Sequence, residues 1–204
     1  MTMASNGLSA ITVSASATIH KLKSMTPIVV NFVAFQVGWL ACVLGGAHQL
    51  PWLGTLLVSI IIAVHVSRAS RPRTELSLVL LAIAIGSVWD SYLVWRDWLE
   101  YPSGTLLPDT APHWILAMWG VFATTLNVSL RWLKQRWLTA IVSGAIAGPL
   151  AYYAGAQLGG VMFADQTTAL IALGLGWAVL MPLLVALSQR LDGFPDLATA
   201  RRIA

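Results

Sequence analysis

The segment LSLVLLAIAIGSVWDSYLVWRDW, residues 76–98, is apolar for most of its length and carries its first charge only at Asp90. A helix rises ~1.5 Å per residue and needs ~20 residues to cross ~30 Å of hydrocarbon, so this run predicts a transmembrane helix. Similar runs recur along the chain, and the predicted spans are 28–48, 51–67, 76–98, 112–131, 137–158 and 167–188. The second is the shortest. The pattern predicts an all-α, polytopic membrane protein built as a bundle of six transmembrane helices.

The composition agrees with this prediction. Of the 204 residues, 57% are hydrophobic and only 10% are charged, and the mean hydropathy is +0.75, which excludes an ordinary soluble domain. We expect one transmembrane domain over 27–188, because the flanking segments 1–26 and 189–204 are each too short to build a core. Segment 1–26 is expected to be cytoplasmic and disordered. Met25 could also serve as a start, which leaves open whether residues 1–24 belong to the natural protein.

Basic residues are segregated to one side of the predicted spans. Apart from Arg96, all of them fall before the first span, after the last, or in the loops that follow the second and fourth: Lys21, Lys23, Arg68, Arg71, Arg73, Arg131, Lys134, Arg136, Arg190, Arg201 and Arg202. By the positive-inside rule we expect a multi-pass protein with both termini in the cytoplasm. The basic side is expected to contact anionic membrane lipids. No nucleic-acid partner is expected.

Polar residues within the spans form two layers. The layer further from the basic side is a candidate functional cluster of Asp90, His48, Gln49, Arg96, Tyr152, Tyr153 and Gln157, and the inner layer consists of Asn31, His65, Asn127 and Arg131. Asp90 is the main candidate, because a carboxylate near hydrocarbon costs several kcal/mol unless it is paired, protonated or hydrated. Its expected partner is His48, Tyr152 or Arg96. The alternative is an interfacial aspartate that reaches water.

A stripe of small residues follows the fifth span, with glycines at Gly144, Gly148, Gly155 and Gly159. Small residues four apart allow two helix backbones to approach closely. The stripe therefore predicts a helix contact, either within the bundle or between protomers of a homo-oligomer.

Complete catalytic motifs are missing from the sequence. It contains no HExxH pair, no nucleophile elbow, no Walker loop and no lysine within a span that could hold retinal. We therefore expect no metal and no cofactor, and we assign no catalytic residue. The sequence leaves open whether the protein is an enzyme, but the missing motifs favour a protein without enzymatic activity.

Three segments carry a family resemblance: NFVAFQVGWLACVLGG at 31–46, PHWILAMWGVFATTLNVSLRWL at 112–133 and GAIAGPLAYYAGAQLG at 144–159. In this order they resemble a family of small bacterial inner-membrane proteins classed as a domain of unknown function, DUF2878, over roughly residues 27–188. The resemblance implies no activity and no catalytic residue. Genes of the family often lie near genes for cyclopropane-fatty-acid-synthase-like proteins.

That association implies an accessory role in the modification of membrane-lipid acyl chains or in envelope homeostasis, with a membrane enzyme as a possible partner. Two other classes of function stay open. A small transporter or lipid-moving protein would use Asp90 in a hydrated cavity. An integral-membrane lipid-modifying enzyme would need Asp90 to converge with His48 or a tyrosine.

The charge pattern makes a prediction about topology. Alkaline phosphatase fused after Gly104 should be active, and the same reporter fused after Ala204 should be inactive, because the 97–111 loop is predicted outside and the C-terminus inside. The opposite activities would contradict the predicted orientation.

Overall fold

The structure is a computed structural model that describes residues 26–195. It is mainly helical, and its helices in chain order are α1 (Thr26–Ala47), α2 (Pro51–Ser67), α3 (Pro72–Trp95), α4 (His113–Leu126), α5 (Trp137–Gln157) and α6 (Gln166–Arg190). A short 3-10 helix, Arg131–Leu133, precedes α5. The predicted segment 1–26 therefore lies almost wholly outside the described residues. The predicted tail begins within α6 and is described only as far as residue 195.

Successive helices run in opposite directions between two ends of the bundle. The first, here called the basic end, consists of segments 68–71, 127–136 and 191–195. Its first and last segments are joined by a hydrogen bond from Arg71 N–H to the Gly193 carbonyl at 3.0 Å. The second, here the loop end, consists of segments 48–50, 96–112 and 158–165. In it the Ser103 hydroxyl donates to the Gly46 carbonyl at 2.7 Å. Within the described residues, every lysine and arginine except Arg96 lies at or next to the basic end.

Within residues 26–195, four helices are long and apolar enough to cross a membrane: α1, α3, α5 and α6. Two others are shorter, α2 with 17 residues and α4 with 14. Helix α4 ends at Leu126, five residues before the predicted end of its span, because the chain turns at Asn127 and continues into the 3-10 helix. Its middle is buried among the other helices.

Local sequence explains several helix starts. Pro51 and Pro72 occupy the first positions of α2 and α3, where the missing proline N–H is not needed. Asp165 caps α6, since its Oδ1 accepts hydrogen bonds from the backbone N–H groups of Thr167 and Thr168 at 3.0 and 3.3 Å. A hydrogen bond from the Thr168 hydroxyl to Oδ2, together with these backbone hydrogen bonds, lowers the pKa of Asp165.

The loop end contains a feature that an all-α prediction leaves out. Leu99–Glu100 and Met162–Phe163 form a two-stranded antiparallel ribbon, with Leu99 opposite Phe163. The ribbon joins the α3–α4 loop to the α5–α6 loop and closes this end of the bundle.

The centre of the bundle is a pair of stacked indoles held between two glycines. The rings of Trp119 on α4 and Trp177 on α6 are nearly parallel, with centroids 4.8 Å apart. On one side the Trp119 ring lies where a Cβ of Gly86 on α3 would be, and on the other the Trp177 ring lies where a Cβ of Gly148 on α5 would be. Tryptophans in membrane proteins are enriched at the membrane interface, but Trp119 is part of the core.

The glycine stripe is divided between three roles. Gly144 and Gly148 pack against Trp177 of α6, as the predicted helix contact requires. Gly155, by contrast, has room for a Cβ, whose nearest neighbour would be Val161 at 3.7 Å. Gly159 lies beyond the end of α5 and has a φ of 80°, so it forms a turn that favours glycine and does not belong to the helix stripe.

The packing predicts different costs for one added methyl group along α5. At Gly144 alanine would overlap the backbone carbonyl of Trp177, and at Gly148 it would overlap the indole ring. Each change should destabilise the protein by about 1–3 kcal/mol, as overpacking typically does, and should lower the melting temperature in detergent. Gly155→Ala is the matched control and should leave the melting temperature nearly unchanged. Equal melting temperatures for all three variants would contradict this packing.

Candidate functional site

A groove of about 290 Å³ runs along the bundle between α1 and α5, with α4 and α6 forming its floor. It extends from Trp132 and Leu133 near the basic end to Tyr101 and Val161 at the loop end. Its lining is almost entirely apolar, and it includes one stripe of α1 and one of α5: Phe35, Trp39 and Val43, and Ala147, Gly148, Ala151, Tyr152 and Gly155. The stacked indoles of Trp119 and Trp177 also line it. This shape suits a long apolar molecule.

Few polar groups reach the groove. The hydroxyl-bearing side chains of Tyr101 and Tyr152 line it toward the loop end. The indole Nε1 of Trp177 is buried beside the Tyr152 hydroxyl. The groove wall therefore presents few hydrogen-bonding groups to a bound molecule.

Behind this wall lies Asp90, which is fully buried. Its Oδ2 accepts a hydrogen bond from Trp119 Nε1–H at 2.5 Å, and its Oδ1 accepts from the Tyr152 hydroxyl at 2.5 Å and the Tyr101 hydroxyl at 3.3 Å. Burial, together with the neighbouring carboxylate, raises the pKa of Tyr101 well above its usual value, so this hydroxyl keeps its proton. Asp90 is thus held by three neutral donors.

Gly86 and Asp90 lie one turn apart on α3 and act on the same indole. Gly86 makes room for the Trp119 ring, and Asp90 accepts the N–H of that ring. The carboxylate is thereby tied to the floor of the groove, while Tyr152 connects it to the α5 wall.

Most of the other residues predicted around Asp90 lie elsewhere. His48, Gln49, Tyr153 and Gln157 are exposed, and the Gln49 amide donates to the Pro102 carbonyl at 3.0 Å. The guanidinium carbon of Arg96 lies 5.9 Å from the ring centroid of Trp95 and 5.2 Å from that of Trp98. Of the three expected partners of Asp90, the structure brings only Tyr152 to it.

A second buried carboxylate, Glu75, organises the basic end and was not among the predicted site residues. Its Oε1 lies 2.8 Å from His65 Nε2, and its Oε2 accepts from Asn127 Nδ2 at 2.7 Å and Gly193 N–H at 3.1 Å. It therefore joins α2, α3, the end of α4 and the segment that follows α6. A Cβ on Gly193 would overlap Glu75, so the glycine allows the close approach.

A separate ion-pair cluster at this end is centred on Asp192. Arg131 and Lys134 both donate to it, and Lys134 Nζ also donates to Asn127 Oδ1 at 2.6 Å. Burial opposes ionisation of Asp192, but hydrogen bonds from Lys134, the Phe194 N–H and Arg131 outweigh it and lower the pKa of this carboxyl group. The ion pairs therefore stabilise the fold above the pKa of Asp192 in the unfolded chain, and this stability is lost as the pH falls through the lowered value.

Asn31, the last member of the predicted inner layer, lies apart from this cluster. Its Oδ1 accepts from the Ser129 hydroxyl at 2.7 Å, and its amide donates to the Thr124 carbonyl at 3.2 Å. It fastens α1 to the turn that follows α4. The four predicted inner residues thus share one end of the bundle but belong to two separate networks.

Within residues 26–195, no group of three histidine, cysteine, aspartate or glutamate side chains is placed to hold a metal ion. Cys42 is buried in the core between α1 and α2, where it packs against Gly54.

The outer faces of the helices in this bundle are apolar, which identifies a membrane-embedded helical protein. Large apolar side chains are exposed on these faces, among them Leu56, Ile60, Leu80, Val88, Ile146, Leu150, Leu175 and Val179.

The chain belongs to the family described as protein of unknown function (DUF2878), whose model matches residues 28–183. The resemblance found in the sequence motifs is thereby confirmed. No curated protein and no solved structure matches the chain.

Replacement of each buried carboxylate by an amide should affect the melting temperature to a different extent. In Glu75→Gln the new NH₂ group can donate to His65, because the imidazole can move its proton to Nδ1 and accept at Nε2. In Asp90→Asn the new NH₂ group can replace either carboxylate oxygen. In one position it faces the Trp119 N–H, which cannot accept a hydrogen bond, and in the other it deprives two tyrosine hydroxyls of their acceptor. A buried unsatisfied donor costs about 1–3 kcal/mol. Asp90→Asn should therefore lower the melting temperature clearly, and Glu75→Gln should change it little.

Asp97→Asn, at an exposed position two turns beyond Asp90, is the control for loss of charge alone. Glu75→Leu is the control for loss of all three hydrogen bonds and should be strongly destabilising. If Asp90→Asn is as stable as the parent protein, the donor arrangement around Asp90 is wrong.

Proposed function

We propose that this protein binds an acyl chain of a membrane lipid in the groove between α1 and α5, and that it serves as an accessory factor in acyl-lipid modification or envelope homeostasis. The groove itself is the observation that carries the proposal. Its volume lies near the lower end of the ~300–1,000 Å³ typical of ligand pockets, and its lining is almost wholly apolar. Because the outer faces of the same helices are apolar, a lipid tail is the ligand that this environment supplies.

The proposal includes the placement of the protein in the membrane. All six helices lie within the inner membrane, with the basic end and both termini on the cytoplasmic side, as the positive-inside rule favours. Helices α2 and α4 are short, but α4 is buried by its neighbours and does not need to face lipid along a full span. The single transmembrane domain is that of residues 27–188.

A protein that only holds an acyl chain needs a partner to act on it. We therefore propose that a membrane enzyme works on the bound lipid, or that a second copy of this chain completes the assembly. The sequence motifs for catalysis that are missing from this chain would then be supplied by that enzyme.

One contact favours a second candidate function, a lipid-modifying enzyme. The Tyr152 side chain lines the groove and its hydroxyl donates to Asp90 at 2.5 Å, so a phenol backed by a carboxylate lies beside the bound molecule. Such a pair can exchange a proton with a ligand. The transporter hypothesis has less support, because Asp90 is fully buried and is not part of the groove lining.

Photocrosslinking tests acyl-chain binding directly. A fatty acid that carries a diazirine in its chain, supplied to membranes that contain the protein, should label α1 and α5 residues that face the groove. Ala147→Phe should reduce this labelling strongly, because the ring fills the space where Ala147 lines the groove. The labelled peptides are identified by mass spectrometry.

Ile146→Phe is the matched control, since Ile146 is the neighbouring residue on α5 but is exposed on the outer face. It should leave groove labelling unchanged. Equal labelling of both variants, or labelling confined to outer faces, would contradict acyl-chain binding.

The accessory role is tested separately by the acyl-chain profile of a deletion strain. This profile should change, and it should be restored by the parent gene but not by Ala147→Phe.

A further inference from the structure

We infer that the ligand of the groove is a glycerophospholipid, one of whose acyl chains fills the groove while its phosphate binds Arg136 at the basic end. This inference rests on the proposed function and adds to it the ligand class and its orientation.

The position of Arg136 is the first reason. Trp132 lines the groove where it reaches the basic end, and its side chain remains 42% exposed, so it stands at the mouth of the groove. The guanidinium carbon of Arg136 lies 6.0 Å from the centroid of this ring. A cation is thus held beside the opening, with an aromatic ring between it and the apolar lining.

The distribution of charge is the second reason. Arg131 and Lys134, the other cations of the turn, are both paired with Asp192. Arg136 forms no salt bridge with any acidic residue of the described chain and is exposed. It therefore keeps an uncompensated positive charge, and a guanidinium binds phosphate through charge-assisted and often bidentate hydrogen bonds.

The opposite end of the groove is unsuited to a phosphate. The hydroxyls of Tyr101 and Tyr152 already donate to Asp90, so an anion placed there would face a buried carboxylate without a cation. The Trp177 indole lies deep along the floor, where a charged group would be surrounded by apolar side chains. A lipid therefore fits with its phosphate at Arg136 and its tail toward Tyr152.

Native mass spectrometry of the detergent-solubilised protein tests this assignment. The protein is titrated with phosphatidylglycerol and, in parallel, with a diacylglycerol of the same acyl chains, which lacks the phosphate. Arg136→Gln should weaken phosphatidylglycerol binding about tenfold, as loss of a charged hydrogen-bond donor predicts, and should leave diacylglycerol binding unchanged. Inorganic phosphate alone should compete weakly, because it lacks a tail for the groove.

Arg73→Gln is the matched control, since Arg73 is an exposed cation near the basic end that is not part of the groove mouth. It should bind both lipids as the parent protein does. If Arg136→Gln binds phosphatidylglycerol normally while Ala147→Phe does not, the groove holds a tail but the phosphate assignment is overturned. If neither variant differs from the parent protein, acyl-chain binding in the groove fails as well.

Discussion

The bundle depends on the stacking of Trp119 against Trp177. The two rings lie face to face with centroids 4.8 Å apart, and the glycines at Gly86 and Gly148 let α3 and α5 close against their outer faces. Four helices thus meet through two side chains. In a membrane, where lipid removes the hydrophobic drive for helices to associate, such close van der Waals packing is the main source of helix attraction. The same pair forms the floor of the groove, so one interaction determines both packing and binding surface.

Buried carboxylates impose a second constraint on this fold. Asp90 and Glu75 lie on α3, near opposite ends of the bundle, and each is surrounded by donors from several segments. A carboxylate in an apolar bundle is tolerated only if its acceptors are used, and these donors use them. Because the donors come from separate elements, each carboxylate also fixes how those elements are placed. Asp90 differs from Glu75 in that the side chains of all three of its donors, Trp119, Tyr152 and Tyr101, line the groove.

The sequence predicted the elements better than the contacts between them. Apolar run length located the helices, and the depth of Asp90 on its helix identified it as unusual, because both depend only on local spacing. Tyr152 was a predicted partner, but Trp119 was not, since a tryptophan has the same local sequence pattern at a membrane interface and in a helical core. Glu75 was missed because it precedes its apolar run and looked like part of a hydrated loop. Contacts with His65, Asn127 and the backbone N–H of Gly193 bury it, and no local pattern encodes those contacts.

Cryo-electron microscopy of the protein in a lipid bilayer shows directly whether the groove holds an acyl chain. We expect continuous, tube-shaped density between α1 and α5, running from Trp132 along the stacked indoles toward Tyr152. A groove closed by α1 packing directly onto α5, with no density between them, would contradict this expectation.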